Sequence, residues 1–276
     1  MALARRQTAG GLDHLPDRHP HAVWAWEGLR RNNAYRDAYA RVRAKLPEVE
    51  RLRSGGLRRP LAAADAGAER FGLLAFADPH LSAWEQGVFW LPELSTGTLD
   101  VALKRLNRAE DRMRNRDRLV LSRLNTRRFI LDAGDVERHV ILGARRFWIQ
   151  LRGVRPETLS ERAEIIVNLS DPARMRRQSD ALRQLLSLHD AQDGEVTLIG
   201  RSRSETRLRE ILTAFDAAAR GATYREVAES LLGAERVARD WEAGSDHIKA
   251  KAKRAVEAGR HFVRDGYLAQ LGKRAI

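Results

Sequence analysis

The chain has 276 residues, of which 43% are apolar and 32% charged, with a formal net charge of +13 and no cysteine. The length allows roughly two domains at about 150 residues each, and the mix of apolar and charged residues argues against a wholly disordered chain. The missing cysteine excludes a disulfide scaffold, a thiol nucleophile and a thiolate zinc site.

The first helix is expected over residues 21–31, between Pro20 and the Asn32-Asn33 pair. A second runs over 33–46. Its apolar residues Tyr35, Tyr39, Val42 and Leu46 fall at i, i+4, i+7 and i+11 on one helical face, and Pro47 ends it. Residues 51–68, with Ser54-Gly55-Gly56 and Pro60, read as a linker or loop. Between residues 70 and 168 short β-like runs alternate with turn signals, at 87–90, 118–121, 128–131, 139–142, 147–151 and 163–167. Asn125-Thr126, Gly134-Asp135 and Gly143-Ala144 stand between runs at hairpin spacing, so an antiparallel meander of four to six strands is expected. Residues 100–114 fit a short helix through Leu99, Leu103 and Leu106, or an arginine-rich loop. Helix resumes with Asp171 as N-cap and Pro172 at the first position, with Met175, Leu182, Leu185 and Leu186 near one face. Asp193-Gly194 ends it, and 196–199 reads as a short strand.

The carboxy-terminal pattern is the clearest. Leu208, Ile211, Leu212, Phe215 and Ala218 define an amphipathic helix followed by Gly221. Thr223 and Glu226 have capping-box spacing and open a short helix with Val227, Ala228, Leu231 and Leu232 inward, ended by Gly233. Val237, Ala238 and Trp241 imply one or two further turns, and Ser245 caps a last helix that stops near Gly266. On that helix Ile248, Ala252, Ala255, Val256, Gly259, Phe262 and Val263 share a face. Lys249, Lys253 and Arg260 lie on the adjacent flank, with Lys251 and Arg254 on the other side.

The charge is segmented. Residues 1–60 carry a net +7, 61–100 a net −5 and 101–160 a net +8; 245–276 carry +5, from 8 basic and 3 acidic groups. Only six of the 50 basic residues are lysines, and three of those six lie within 249–253. Arginine-rich composition alone does not explain that cluster. Short helices joined by glycine turns and ending in a basic helix with an apolar back fit a helix-turn-helix unit that presents long donors to phosphates and base edges. The plain alternative is a solvated basic face; RNA, an acidic protein or a membrane surface are others. Few large apolar residues line the inward face, which weakens the membrane reading.

Other constellations are weaker. His14, His19 and His21 cluster without completing a metal site. Ser160-Glu161, Asp78-Pro79-His80 and Asp246-His247 lack a partnered nucleophile, base and orienter. No phosphate-binding glycine motif occurs, so neither an enzyme nor a cofactor is expected. The tryptophans read as core anchors. Arg116, Arg118, Arg123, Arg127, Arg128, Arg145 and Arg146 in the meander could hold nucleic acid or face solvent or a protein. The longest apolar runs, such as Val140-Ile141-Leu142, fall far short of the ~20 residues of a membrane span. The first residues, MALARRQTAGGLDHLP, lack an apolar signal core. A cytoplasmic protein with no membrane partner is expected.

Two stretches resemble known families. Trp24-Ala25-Trp26-Glu27, Leu29-Arg30-Arg31-Asn32, Tyr35-Arg36 and Tyr39, with Phe71-Gly72, 76–79 and 88–93, resemble the amino-terminal transcriptional regulator-like domain of proteobacterial mobile-element proteins. Residues 221–228, Leu232-Gly233, Arg236-Val237, Asp240-Trp241, Ser245-Asp246, Arg254, Gly259 and Gly266-Tyr267 resemble the helix-turn-helix variant domain paired with it, found in regulators of conjugative-element transfer. The resemblance implies transcription control through DNA. The expectation is an α+β protein with amino-terminal helices (1–60), a β-rich domain (61–170) and a helical domain containing the helix-turn-helix (171–276). It would bind duplex DNA through Thr223, Tyr224, Arg225, Lys249, Lys251, Lys253, Arg254 and Arg260. Another regulator or RNA polymerase is a further expected partner, and an antiactivator acting only through protein contacts is the alternative.

Overall fold

The structure is a computed structural model that describes residues 20–53, 55–107, 110, 118–134, 137–144, 147–155, 162–169, 172–190, 203–242 and 246–272. The chain divides into a sheet-bearing unit, 20–198 with 267–276, and a helical unit, 199–266 with 1–19.

The sheet-bearing unit opens with α1 (His21–Leu29) and α2 (Asn33–Val42). Eight of the nine α1 residues are buried, because Trp24, Trp26 and Leu29 all face packed surface. Glu27 inside that helix is neutralised by Arg30 at 2.8 Å and Arg31 at 2.7 Å, which makes burial of the carboxylate tolerable. Asn32 caps α2 by accepting the Tyr35 N–H at 3.2 Å. The Tyr35 hydroxyl donates to the Ala77 carbonyl at 2.7 Å and accepts the Ala77 N–H at 3.0 Å. That exchange joins α2 to the 3-10 segment Ala63–Phe71 and the loop after it through a ring cluster of Tyr35, Phe71 and Phe76.

Seven strands form one mixed sheet: β1 (Glu50–Arg51), β2 (Leu57–Pro60), β3 (Thr98–Arg105), β4 (Arg127–Asp132), β5 (Arg138–Ala144), β6 (Phe147–Val154) and β7 (Ala163–Val167). Their order is β1-β2-β4-β5-β6-β3-β7. The meander is present as antiparallel β4–β5–β6, but β2 joins β4 and β3 joins β6 in parallel. Residues 100–105 lie in β3, neither helix nor loop. Leu99, Val101 and Leu103 alternate into the core with period two, and the helical spacing of Leu99, Leu103 and Leu106 is coincidental to it. The expected linker 51–68 holds the edge strand β1 and its neighbour β2, which pairs with β4 and is tied to it by Arg58 on Asp132 at 2.6 Å. The runs at 87–90 and 118–121 make only single bridges, Trp90 to Leu73 and Val120 to Glu164.

Both faces of the sheet are covered, so Val140, Ile141 and Leu142 are all buried in unbroken succession. On one face α4 (Pro172–Asp190) packs over β3 and β6 with Ala181, Leu185 and Leu188. Met175 and Leu186, expected on its apolar face, are exposed. On the other face Trp148 meets Trp84 edge-on at 5.1 Å, from the short helix α3 (Ala83–Gln86). Buried Gln150 donates to the Trp90 carbonyl at 2.9 Å and accepts the Trp90 N–H at 3.0 Å.

The helical unit contains α5 (Arg203–Ala219), α6 (Tyr224–Leu232), α7 (Ala234–Glu242) and α8 (Asp246–His261), the last continued by a π-helical turn, Phe262–Gly266. After it Tyr267 and the one-turn helix α9 (Leu268–Leu271) return to the sheet-bearing unit. There the buried Tyr267 hydroxyl donates to the Phe71 carbonyl at 3.3 Å, and Thr96 N–H donates to the Leu271 carbonyl at 2.9 Å. Asp171, Asp193, Gly194, the expected strand 196–199, Ser245, His14, His19, Arg116, Arg145 and Arg146 lie outside the described residues.

Candidate nucleic-acid interface

The helical unit is built around small residues. Ala214, Ala217, Val227, Ala228, Val237, Ile248, Ala252 and Val256 form its core, with Leu231, Leu232 and Trp241 packed on the edge. Small side chains let the helices approach closely. A Cβ on Gly259 would lie 2.4 Å from the Ile211 carbonyl oxygen, so α8 rests directly on the α5 backbone.

The start of α6 is a complete capping box. Thr223 Oγ1 accepts the Glu226 N–H at 3.3 Å, and the Glu226 carboxylate accepts the Thr223 N–H at 2.7 Å and its hydroxyl at 2.9 Å. The backbone and hydroxyl bonds from Thr223 hold the Glu226 carboxyl below its ordinary value. Gly233 then turns the chain with φ +88°, a left-handed value that a side chain would strain, and α7 begins at once. Tyr224 is 38% exposed. Arg225, expected to contact DNA, pairs with Glu229 one turn on at 3.3 Å.

On α8 the buried residues Ile248, Ala252, Val256 and Gly259 form one stripe, and Phe262 and Val263 extend the buried set into the π turn. Ala255 is half-buried. Lys249, Lys253, Arg254 and Arg260 are exposed and Lys251 is half-buried. Lys249, Lys253 and Arg260 share one flank, as the wheel predicts. Arg260 is engaged: its guanidinium lies 2.7 Å from Glu257. Among the described residues no carboxylate lies within ion-pair distance of Lys249, Lys251, Lys253 or Arg254. The cations presented outward are therefore chiefly Lys249, Lys253 and Arg254, with Glu257 between them and Arg260.

Sequence reasoning expected one or two turns at α7 but named no contact residue on it. Val237 is buried and Trp241 half-buried at i, i+4, which leaves Arg236 and Arg239 exposed on the outer side. The signal was present in Gly233 between two amphipathic helices. The meander arginines are largely committed to protein partners. Arg118 pairs with Glu164 at 3.5 Å, Arg127 donates to the Trp84 carbonyl at 2.9 Å and Arg128 to the Leu121 carbonyl at 2.9 Å.

Two family models match the chain. Residues 9–74 match the proteobacterial transcriptional regulator-like domain, and 143–271 match a domain described as "T6SS, Transcription factor, DNA binding domain". The chain is thus similar to a transcriptional regulator-like domain near its start and to a transcription-factor DNA-binding domain in its second half. The second match begins at Gly143, so the matched region spans β6, β7 and α4 as well as α5–α8. No curated protein matches the chain. Among the described residues no group of side chains could hold a metal ion, and no helix is long and apolar enough to cross a membrane.

Proposed function

We propose that the protein is a cytoplasmic transcriptional regulator that binds specific sequences of duplex DNA through a helix-turn-helix formed within α5–α8. The observation that carries this reading is the exposed cation set of α8, Lys249, Lys253 and Arg254, opposite a buried apolar stripe, in a region that matches a transcription-factor DNA-binding domain. Lysines and arginines held along one rigid helix neutralise phosphates and release counterions, which supplies affinity. Arg260 joins them by exchanging Glu257 for a phosphate. Lys251 flanks the contact, the Thr223 capping box sets the angle of α6, and Tyr224 and Arg225 at its first turn reach the backbone. The regulated genes are those of mobile-element transfer, and another regulator or RNA polymerase is the protein partner.

Selection of bound sequences from random duplex DNA tests the reading directly. Recovery of a defined motif supports sequence-specific binding. Recovery of no enriched sequence, together with capture of a regulator protein and no DNA affinity at low salt, establishes an antiactivator instead.

A further inference from the structure

The sheet-bearing unit contains a cavity of about 280 Å³ that the DNA reading does not use. It lies between the end of α2, strand β2 and the loop after the 3-10 segment. Its walls are partly apolar: Leu46, Leu57, Phe76, Phe89 and Ile130 contribute, with Val49 and Leu81. Those last two are 51% and 37% exposed, so large apolar side chains stand in solvent where the cavity is lined. Exposed apolar surface gathered around a concavity is the usual mark of a ligand site. The volume is generous for its purpose, since an apolar cavity of ~150 Å³ is enough for benzene.

The polar groups of the lining separate into spent and unspent. Arg58 is held by Asp132 at 2.6 Å, and Arg59 by Asp65 at 2.7 Å and by the Phe76 carbonyl at 3.2 Å. Gln86 bridges the Asp78 backbone, accepting its N–H at 2.6 Å and donating to its carbonyl at 2.8 Å. The Asp78 carboxylate accepts the Tyr39 hydroxyl and the His80 N–H at 2.9 Å. Arg43 is different: among the described residues no carboxylate pairs with it. Glu48 also lines the cavity and forms no ion pair with Arg43. The chemistry left over is the Arg43 guanidinium, with the Glu48 carboxylate nearby, at a largely apolar hollow.

We propose that this cavity is a binding site for a small apolar carboxylic acid, its hydrocarbon part enclosed by Leu57, Phe76, Phe89 and Ile130 and its carboxylate paired with Arg43. A guanidinium takes a carboxylate in two parallel hydrogen bonds, so one arginine orients such a ligand. Glu48 sets the sign of the test, because it repels the same carboxylate.

The probe is 3-phenylpropionate, with its methyl ester and phenethylamine as neutral and cationic counterparts, titrated into the full-length protein by calorimetry and by shift of the melting temperature. The acid binds with a Kd of about a millimolar or tighter, as its size allows, and more tightly than the ester or the amine. Arg43→Gln weakens it about tenfold, the value of a charge-assisted hydrogen bond. Glu48→Gln tightens it about twofold. Both side chains are exposed, so neither substitution disturbs the core, and an unchanged melting temperature without ligand verifies this. Binding of the ester or amine at least as tight as the acid, indifference to Arg43→Gln, or no binding of any of the three overturns the proposal. DNA affinity plays no part in these readouts, so their outcome is separate from that of the DNA-binding reading.

Discussion

Thr223 shows how one side chain prepares a surface without belonging to it. Its hydroxyl and N–H are both engaged by Glu226, so its contribution is to the geometry of α6. Replacing Thr223 by alanine removes the cap and lowers stability by about 1 kcal/mol in chemical denaturation. Because the Glu226 carboxyl is held below 4.5, the capping contribution is complete above that pH and is lost as pH falls through the lowered folded value. Tyr39 carries the opposite linkage. Burial, with the Asp78 charge and hydrogen bond, pushes its hydroxyl from 10.0 up to about 12. The folded state therefore holds the proton more tightly, and stability declines from pH 10 through about 12 as the unfolded chain ionises first. Tyr35 is pushed up as well, chiefly by burial. The decline in melting temperature over that range should become shallower in Tyr39→Phe; an unchanged slope contradicts the hydrogen-bonded, half-buried placement.

At the scale of elements, Gly259 decides how α8 meets α5. A methyl group there would press on the Ile211 carbonyl, a backbone atom that cannot rotate away. Gly259→Ala should cost about 1–3 kcal/mol despite its better helix propensity. A stabilised variant by thermal denaturation would contradict the close helix crossing. The helices of this unit were legible from the chain because their caps, glycine stops and apolar stripes are local and agree with one another: Thr223, Gly233 and the Ile248, Ala252, Val256 series each act within one or two turns. The sheet was less legible. β3 carries only a few alternating positions, and Leu99 and Leu103 satisfy helical and strand periods alike. The pairings β2–β4 and β3–β6 join residues far apart in the chain, which no local pattern encodes. On α4 the expected Leu182 and Leu185 do meet the sheet, but Met175 and Leu186 have core-like side chains in exposed positions, while Ala181 and Leu188 complete the packed face. At the candidate interface the basic flank was readable from the wheel. The pairing of Arg260 with Glu257 depends on which rotamers meet across one turn, and the exposed arginines of α7 drew no contact assignment because that helix carries no lysine cluster.

At the scale of the whole chain, the net charge of +13 resolves into parts with different fates. In the sheet-bearing unit Arg30, Arg31, Arg58, Arg59, Arg138 and Arg152 are absorbed by buried or half-buried carboxylates, and serve the fold. In the helical unit Lys249, Lys253 and Arg254 stay exposed on one helix. By connectivity the helical unit is an excursion of the chain, since Tyr267 and Leu271 rejoin the sheet-bearing unit by burying a ring and accepting the Thr96 N–H. The DNA-binding match crosses that division, beginning in the sheet and ending at Leu271. The DNA-binding account stands on phosphate neutralisation by α8. Its most direct test is a fluorescence-anisotropy titration of duplex DNA across salt, with the wild-type chain and with Lys249, Lys253 and Arg260 replaced together by alanine. The account predicts a folded variant with weaker binding and a slope of log affinity against log salt reduced by about 2–3, at ~0.9 per lost phosphate contact. A folded variant with the wild-type affinity and slope would contradict it.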